Sequence, residues 1–334
     1  LVNTQITDKV NSIIRNHDGD IWAGTALGLY RMRWTGKQLM AKTIYDYKNP
    51  QWAMVGTDWV NILINDHNGA IWAGTRGGGL IQINSKGELT SYYSDLSNSR
   101  RIGDNMINAL MIDRTGVLWI GTESRGAALL DLNRKRFNHL ENKSKSGINL
   151  TNNQVTAIAG RGNVVWAGTA FNGLDRIDFS NGKQLSTLHI DQIPVGSNRY
   201  SSEIISLMVD NKDQLWIGTQ SNSVIKYSNG NFQAINIGGF AFALHQDRNN
   251  TVWVGTWGQG IAKIDPTTNQ TTLFNNQISG SNTLSSDKVL SLFDDSYGNL
   301  WVGTKGGGIN IIPLNLINQG YTSFRHIKHI PNST

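Results

Sequence analysis

The chain has 334 residues, with 30 Lys and Arg against 24 Asp and Glu, a formal net charge of +6, and 39% hydrophobic and 16% charged residues. That balance excludes a disordered or fibrous chain, and no apolar run approaches the ~20 residues of a membrane-spanning helix. Cysteine is absent, which excludes disulfides, Cys-ligated zinc and a thiol nucleophile.

Residue 1 is Leu and no basic-then-apolar leader follows, which reads as a mature or trimmed chain. From the N-terminus, one signature recurs: IWAGT at Trp22, IWAGT at Trp72, LWIGT at Trp119, VWAGT at Trp166, LWIGT at Trp216, VWVGT at Trp253 and LWVGT at Trp301. Successive tryptophans are 50, 47, 47, 50, 37 and 48 residues apart. A period in the forties points to a propeller blade. The glycine-rich LWVGTKGGG at Leu300–Gly308 would suit a phosphate loop if it stood alone. A phosphate loop occurs once and as GxxxxGK[ST]; no copy has that spacing.

Each repeat reads the same way. A strand opens about twelve residues before the Trp, at Val10, Val60, Ile107, Val155, Ile204, Ala241 or Val289. An Asn, Asp and Gly-rich turn follows, as in NHDGD, DHNGA and DRTGV, with residues that tolerate a tight hairpin. The Trp strand is next, then a short loop, a third strand such as GLYRM or GIAKID, and a weaker fourth strand with an apolar centre. Four short antiparallel strands per repeat give an all-β fold, a single seven-bladed β-propeller. The blades span about 8–50, 58–98, 105–148, 153–198, 202–238, 239–280 and 287–330, with no helix required.

Strand composition agrees with that geometry. Small residues (Ser12, Ala109, Ala157, Ser206, Ala243, Ser291) stand on the first strands, which crowd at the axis; Ile62 is the exception. The motif residues Trp22, Trp72, Trp119, Trp166, Trp216, Trp253 and Trp301 are expected to fill the wedges between blades. Gly should permit close approach, and the Thr hydroxyl should bond the adjacent turn. The ring is expected to close without a strand borrowed across the join, and PNST at the end reads as a cut before another repeat or domain.

The pattern V-x-x-I-x-x-D-x-x-G-x-[LIV]-W-[IVA]-G-T-x-x-G-[GL]-[LI] resembles the two-component regulator propeller repeat. NHDGDIWAGTALGLYRM, NDHNGAIWAGTRGGGLIQI, DRTGVLWIGTESRGAALLDL and DDSYGNLWVGTKGGGINII are its fullest matches. The fifth copy lacks the glycine pair and the fourth lacks the turn Asp. The resemblance implies a periplasmic, ligand-sensing propeller of a Gram-negative bacterium, in a receptor of the hybrid histidine kinase or diguanylate cyclase type. It also implies frequent carbohydrate ligands, downstream signalling domains, a membrane anchor outside this chain, and a full receptor able to dimerise. No kinase or cyclase motif is present, so the chain itself is not expected to be an enzyme.

A ligand is expected on the face formed by the loops after GT and the loops entering each first strand, where residues vary while the scaffold repeats. The candidates are Arg76, Glu123, Arg125, Phe171, Asn172, Gln220, Asn222, Trp257, Gln259 and Lys305 after GT, and Asp58 and Trp59 in an entering loop. Trp52, Arg199-Tyr200 and Asp287-Lys288 stand in further entering loops, and the 37-residue spacing marks a notch at Ile237–Gly239. Aromatics beside Arg, Asn and Gln suit an oligosaccharide or other small-molecule ligand. The same rings can instead cap the blade tops or pack against a neighbouring domain, and the sequence leaves both open. A polysaccharide hydrolase or lyase needs paired carboxylates; Glu123, Glu203, Asp58 and Asp287 are the acids near the face, with no spacing that selects two of them. A protein–protein platform is the other alternative. The basic clusters Ser99–Arg101 and Asn133–Arg136 read as solvated loop charge, with an anionic polysaccharide or acidic partner as the functional alternative; nucleic acid is not expected. No cofactor or metal set is apparent, the seven histidines being scattered.

Overall fold

A computed structural model describes residues 9–34, 39–46, 59–94, 102–132, 136–142, 149–180, 183–190, 192–196, 199–201, 203–276, 283–320 and 323–327. Each of the seven repeats forms a four-stranded antiparallel sheet whose strands pair in chain order. Val10–Arg15, Ile21–Thr25, Gly28–Trp34 and Leu39–Asp46 make the first blade; Val289–Asp294, Asn299–Thr304, Gly308–Pro313 and Arg325–Ile327 make the last. First strands touch their neighbours around a closed ring, and the last contacts the first. Among the described residues the ring therefore closes with no borrowed strand, each blade keeping its own four.

The second strands are buried along their length because each sheet is covered on both faces. Trp72, Trp119, Trp216, Trp253 and Trp301 are among the largest fully buried side chains, and each packs into a core shared with the following blade. Trp22 sits similarly with Val60, Leu63, Ile71 and Ala73 of blade 2.

The turn aspartate, six residues before the Trp, holds this packing in place. Asp66, Asp113, Asp210, Asp247 and Asp295 each accept the indole N–H through Oδ2, at 2.8–2.9 Å. Their Oδ1 atoms accept the backbone N–H groups two and four residues on, fixing the hairpin. One carboxylate thus closes the turn and satisfies a donor that would be costly to bury alone. Blade 1 has Asn16 here, and the Trp22 indole nitrogen is buried with no acceptor among the described residues. Gly160 holds the position in blade 4.

The motif threonines do as expected: Thr75, Thr122, Thr169, Thr256 and Thr304 each donate to the carbonyl four residues on, at 2.7–3.0 Å. In the fifth copy, which lacks the glycine pair, Thr219 turns to Ser221 Oγ.

The motif glycine serves the next blade. A Cβ on Gly24 would stand 2.6 Å from Val60 Cγ1, and one on Gly303 would stand 2.8 Å from Val10 Cγ1 across the ring join. Gly24→Ala should therefore destabilise the fold by ~1–3 kcal/mol through overpacking. Adding Val60→Ala should restore part of that, which denaturant unfolding of the two single variants and the double variant would measure.

Three features differ from expectation. A helix, Leu314–Asn318, connects the third and fourth strands of blade 7; the buried Leu314 and Ile317 tie it to the core containing Trp253 and Phe274. Between blades 4 and 5 the chain forms an extra hairpin, Ile193–Gly196 with Arg199–Ser201, anchored by the fully buried Ile193. Each first strand also carries a β-bulge near its start, as between Val10 and Ser12, Val60 and Ile62, Ala241 and Ala243, and Val289 and Ser291.

Candidate functional site

The bulge sets the geometry of the channel. Pairing skips one residue per blade, at Asn11, Asn61, Asn108, Thr156, Ile205, Phe242 and Leu290. An unpaired bulge residue is re-aimed out of the ladder, and all seven line one cavity of 390 Å³. Lys9, Glu123, Glu203 and Gln220 add charge and polarity to its wall.

This ring has two unlike arcs. Blades 1 to 4 contribute three amides and a hydroxyl; blades 5 to 7 contribute Ile205, Phe242 and Leu290. On the polar arc each side chain is anchored to the next blade: Asn11 Nδ2 donates to Val60 O at 2.8 Å, Asn61 Nδ2 to Ile107 O at 3.0 Å, Asn108 Nδ2 to Val155 O at 3.3 Å, and Thr156 Oγ1 to Ile204 O at 2.6 Å. The anchoring fixes the amide planes before any ligand arrives, which lowers the ordering cost of binding.

Two carboxylates flank the ring. Glu123 accepts from Asn108 Nδ2 at 2.6 Å and from Gln154 Nε2 at 2.8 Å. Glu203 accepts from Gln220 Nε2. Among the described residues no group of three His, Asp or Glu side chains is arranged to hold a metal ion.

Of the predicted site residues, the structure brings Glu123 and Gln220 together in the cavity. The others form separate groups around the rim. Trp59 lies between two cations, Lys9 Nζ at 4.4 Å and the Arg76 guanidinium at 4.9 Å from its ring centre. Trp257 is flanked by Lys305 at 4.7 Å, Lys288 at 5.3 Å and the Phe242 ring at 5.0 Å. These rings are covered by the protein's own cations rather than standing bare. Asn172 pairs with Asn152, Gln259 and Arg125 bond motif threonines through their backbone N–H groups, and the Asn222 carbonyl accepts from Ile237 and Gly238. Phe171 is 62% exposed and stands apart. Asp58, Trp52, Ser99–Arg101 and Asn133–Lys135 lie outside the described residues. The ring of bulge residues was the missed feature. It is one column of the repeat that varies more than its neighbours, an opener that is β-branched in all copies but Ala241 and a residue that is small in all but Ile62.

Two buried acids elsewhere are explained by local pairing. Asp20 is buried, which alone would raise its pKa, but the Arg33 and Arg31 guanidiniums hold the carboxyl below its ordinary value. Asp175 is raised by burial, despite bonds from Thr151 and His189.

Three stretches, 101–124, 237–258 and 283–306, match the model of the two component regulator propeller family; each runs from the lead-in to a first strand through the Trp motif that follows. No curated protein matches this chain. Among solved structures it is similar to an extracellular domain from B. thetaiotaomicron described as part of a hybrid two component system, with 22% identity and a TM-score of 0.76 over 92% of this chain and 40% of the other. An extracellular domain of the same organism, described as part of a one component system, gives 21% and 0.72 over 93% and 39%. Virginiamycin B lyase from Staphylococcus aureus gives 17% and 0.66 over 92% and 96%. At these identities the likeness shows the fold, and the chain spans about 40% of the length of the first two.

Proposed function

The chain carries two component regulator propeller repeats, and from that premise we propose that it is the extracytoplasmic, ligand-sensing propeller of a signal-transduction receptor. Its kinase or cyclase output is assigned to other parts of that receptor. No helix among the described residues is long and apolar enough to cross a membrane. The observation that carries the reading is the two-sided ring at the channel mouth. Anchored amides on one arc suit sugar hydroxyls, whose loss of water they compensate. Phe242, Ile205 and Leu290 on the other suit the apolar face of a pyranose, with Glu123, Glu203 and Lys9 selecting among hydroxyl patterns or charges.

A thermal-shift survey of oligosaccharides is expected to give a specific rise for one class. Phe242→Ala and Asn61→Leu should each lower its affinity by about 1–3 kcal/mol, the cost of leaving a partner unmet or an apolar face uncovered. No response from any sugar, combined with tight binding to a companion domain, would support the protein–protein platform instead. A second reading, a polysaccharide hydrolase or lyase, draws on Glu123 and Glu203 lining one cavity. Release of reducing ends or unsaturated products, abolished by Glu203→Gln, would establish it and displace the sensor reading.

A further inference from the structure

On the third strand, the residue paired with the motif Trp can lie over the indole ring, as Arg31, Arg176 and Lys226 lie over Trp22, Trp166 and Trp216. Several copies place a cation there and give it a protein partner. Arg31, beside Trp22, donates to Asp20 Oδ2 at 2.6 Å; Arg176, beside Trp166, bonds Asp178; Lys226, beside Trp216, donates to Pro266 O at 2.5 Å. In blade 6 the residue is Lys263, beside Trp253. It is half-buried and takes no hydrogen bond or ion pair among the described residues.

Lys263 lines a cavity of 590 Å³ that also holds Lys212, Asn249, Gln270, Thr272 and Asn318. The equivalent notch of blade 2 has Gln82 in place of Lys263 and measures 200 Å³. The two walls also differ in make-up: Lys212 and Asn318, the last residue of the helix Leu314–Asn318, line the larger cavity, whereas Leu130 and Leu132 line the smaller one. The helix is anchored by its buried Leu314 and Ile317 in the core with Trp253 and Phe274, and Asn318 lines the cavity. Asp265, the one acid among the described residues of this wall, accepts the Thr267 and Thr268 N–H groups, which with the smaller influence of the Lys212 charge hold its carboxyl below the ordinary range. The wall therefore offers two ammonium groups, hydroxyls and amides, with one carboxylate turned to its own turn.

We propose that this turn-face cleft on blade 6, edged by Lys212 of blade 5 and Asn318 of blade 7, is a second binding site, for a small hydroxylated anion such as a sugar acid or sugar phosphate, with Lys263 as its principal charge contact. Among the described residues Lys263 carries no protein counter-charge that an anion would have to displace, and the hydroxyls and amides around it match a polyol body.

Isothermal titration at low ionic strength, with glucuronate and glucose 6-phosphate as probes and glucose as the neutral control, tests it. At least one acid should bind and glucose should not. Lys263→Gln, which reproduces the residue blade 2 already uses, should weaken binding at least tenfold while leaving the unfolding midpoint unchanged; Lys212→Gln should weaken it less. Glu203→Gln, in the channel, should have no effect. The proposal is overturned if neither acid binds at millimolar concentration, if Lys263→Gln binds as tightly as the parent, or if the signal follows Glu203 instead. The channel reading survives the first two outcomes untouched.

Discussion

Trp301→Ala is expected to destabilise the propeller by about 3–5 kcal/mol, the cost of emptying a fully packed indole site. Its position makes the consequence more than local. The side chain is 1% exposed and lies in a core with Val10, Ile13, Ile21, Ala23 and Met32 of blade 1. With no borrowed strand, the join between last and first blades depends on this core, on the close approach of Gly303 to Val10, and on strand contacts at the axis. Guanidinium unfolding should show a large fall in midpoint, and limited proteolysis should cut first in blade 1. Trp166→Ala is the comparison: that ring is 7% exposed and has glycine at the aspartate position, so its replacement should cost less. Equal costs would show that the wedge packing, and not the join, sets the penalty.

Asp247→Ala is expected to cost about 3 kcal/mol, because three donors lose one acceptor pair together. Asn249 N at 2.8 Å and Thr251 N at 2.9 Å lose Oδ1, and Trp253 Nε1 at 2.8 Å loses Oδ2. The turn amides can recruit water, but the Trp253 indole is 0% exposed and cannot. A buried donor left unmet costs about 1–3 kcal/mol, and bonds to a charged acceptor stand at the upper end. Asp247→Asn separates the two duties. Its oxygen still closes the turn, as Asn16 Oδ1 does for Asp20 N at 2.9 Å in blade 1, while the indole goes unmet as in Trp22. It should therefore fall between the parent and the alanine variant. An asparagine variant as stable as the parent would show that the indole bond contributes little.

The blades were legible because their defining residues recur at fixed offsets for reasons that act in every copy. Each Trp fills a wedge, the Gly admits the next blade's Val or Ile in six copies and Ala241 in the fifth, and the Thr closes the loop in all but that fifth copy, so the copies reinforce one another. The turn Asp was visible as a hairpin residue; its bond to the indole was not, since six residues of sequence separate groups that only the folded hairpin brings together. The ring at the channel was hidden for a related reason. Strand patterning assumes strict alternation, and one bulge per blade breaks it, so Asn61 and Phe242 read as ordinary strand residues. Looking for function in the residues after GT found Glu123 and Gln220 but missed the column that converges on the axis. Trp59 and Trp257 were identified as exposed rings, and the cations over them depend on Lys9, Arg76, Lys288 and Lys305 arriving from different loops. The helix at Leu314–Asn318 carries no capping side chain and no charge bias, leaving only Leu314 and Ile317 as its signal.

Hydrogen–deuterium exchange with and without the oligosaccharide that gives the largest thermal shift locates the ligand on the propeller. Slowed exchange is expected at the first-strand openings around Asn61, Asn108, Thr156 and Phe242, and in the loops bearing Glu123 and Glu203. Protection confined to the turn face, or spread evenly over all seven blades, would contradict it.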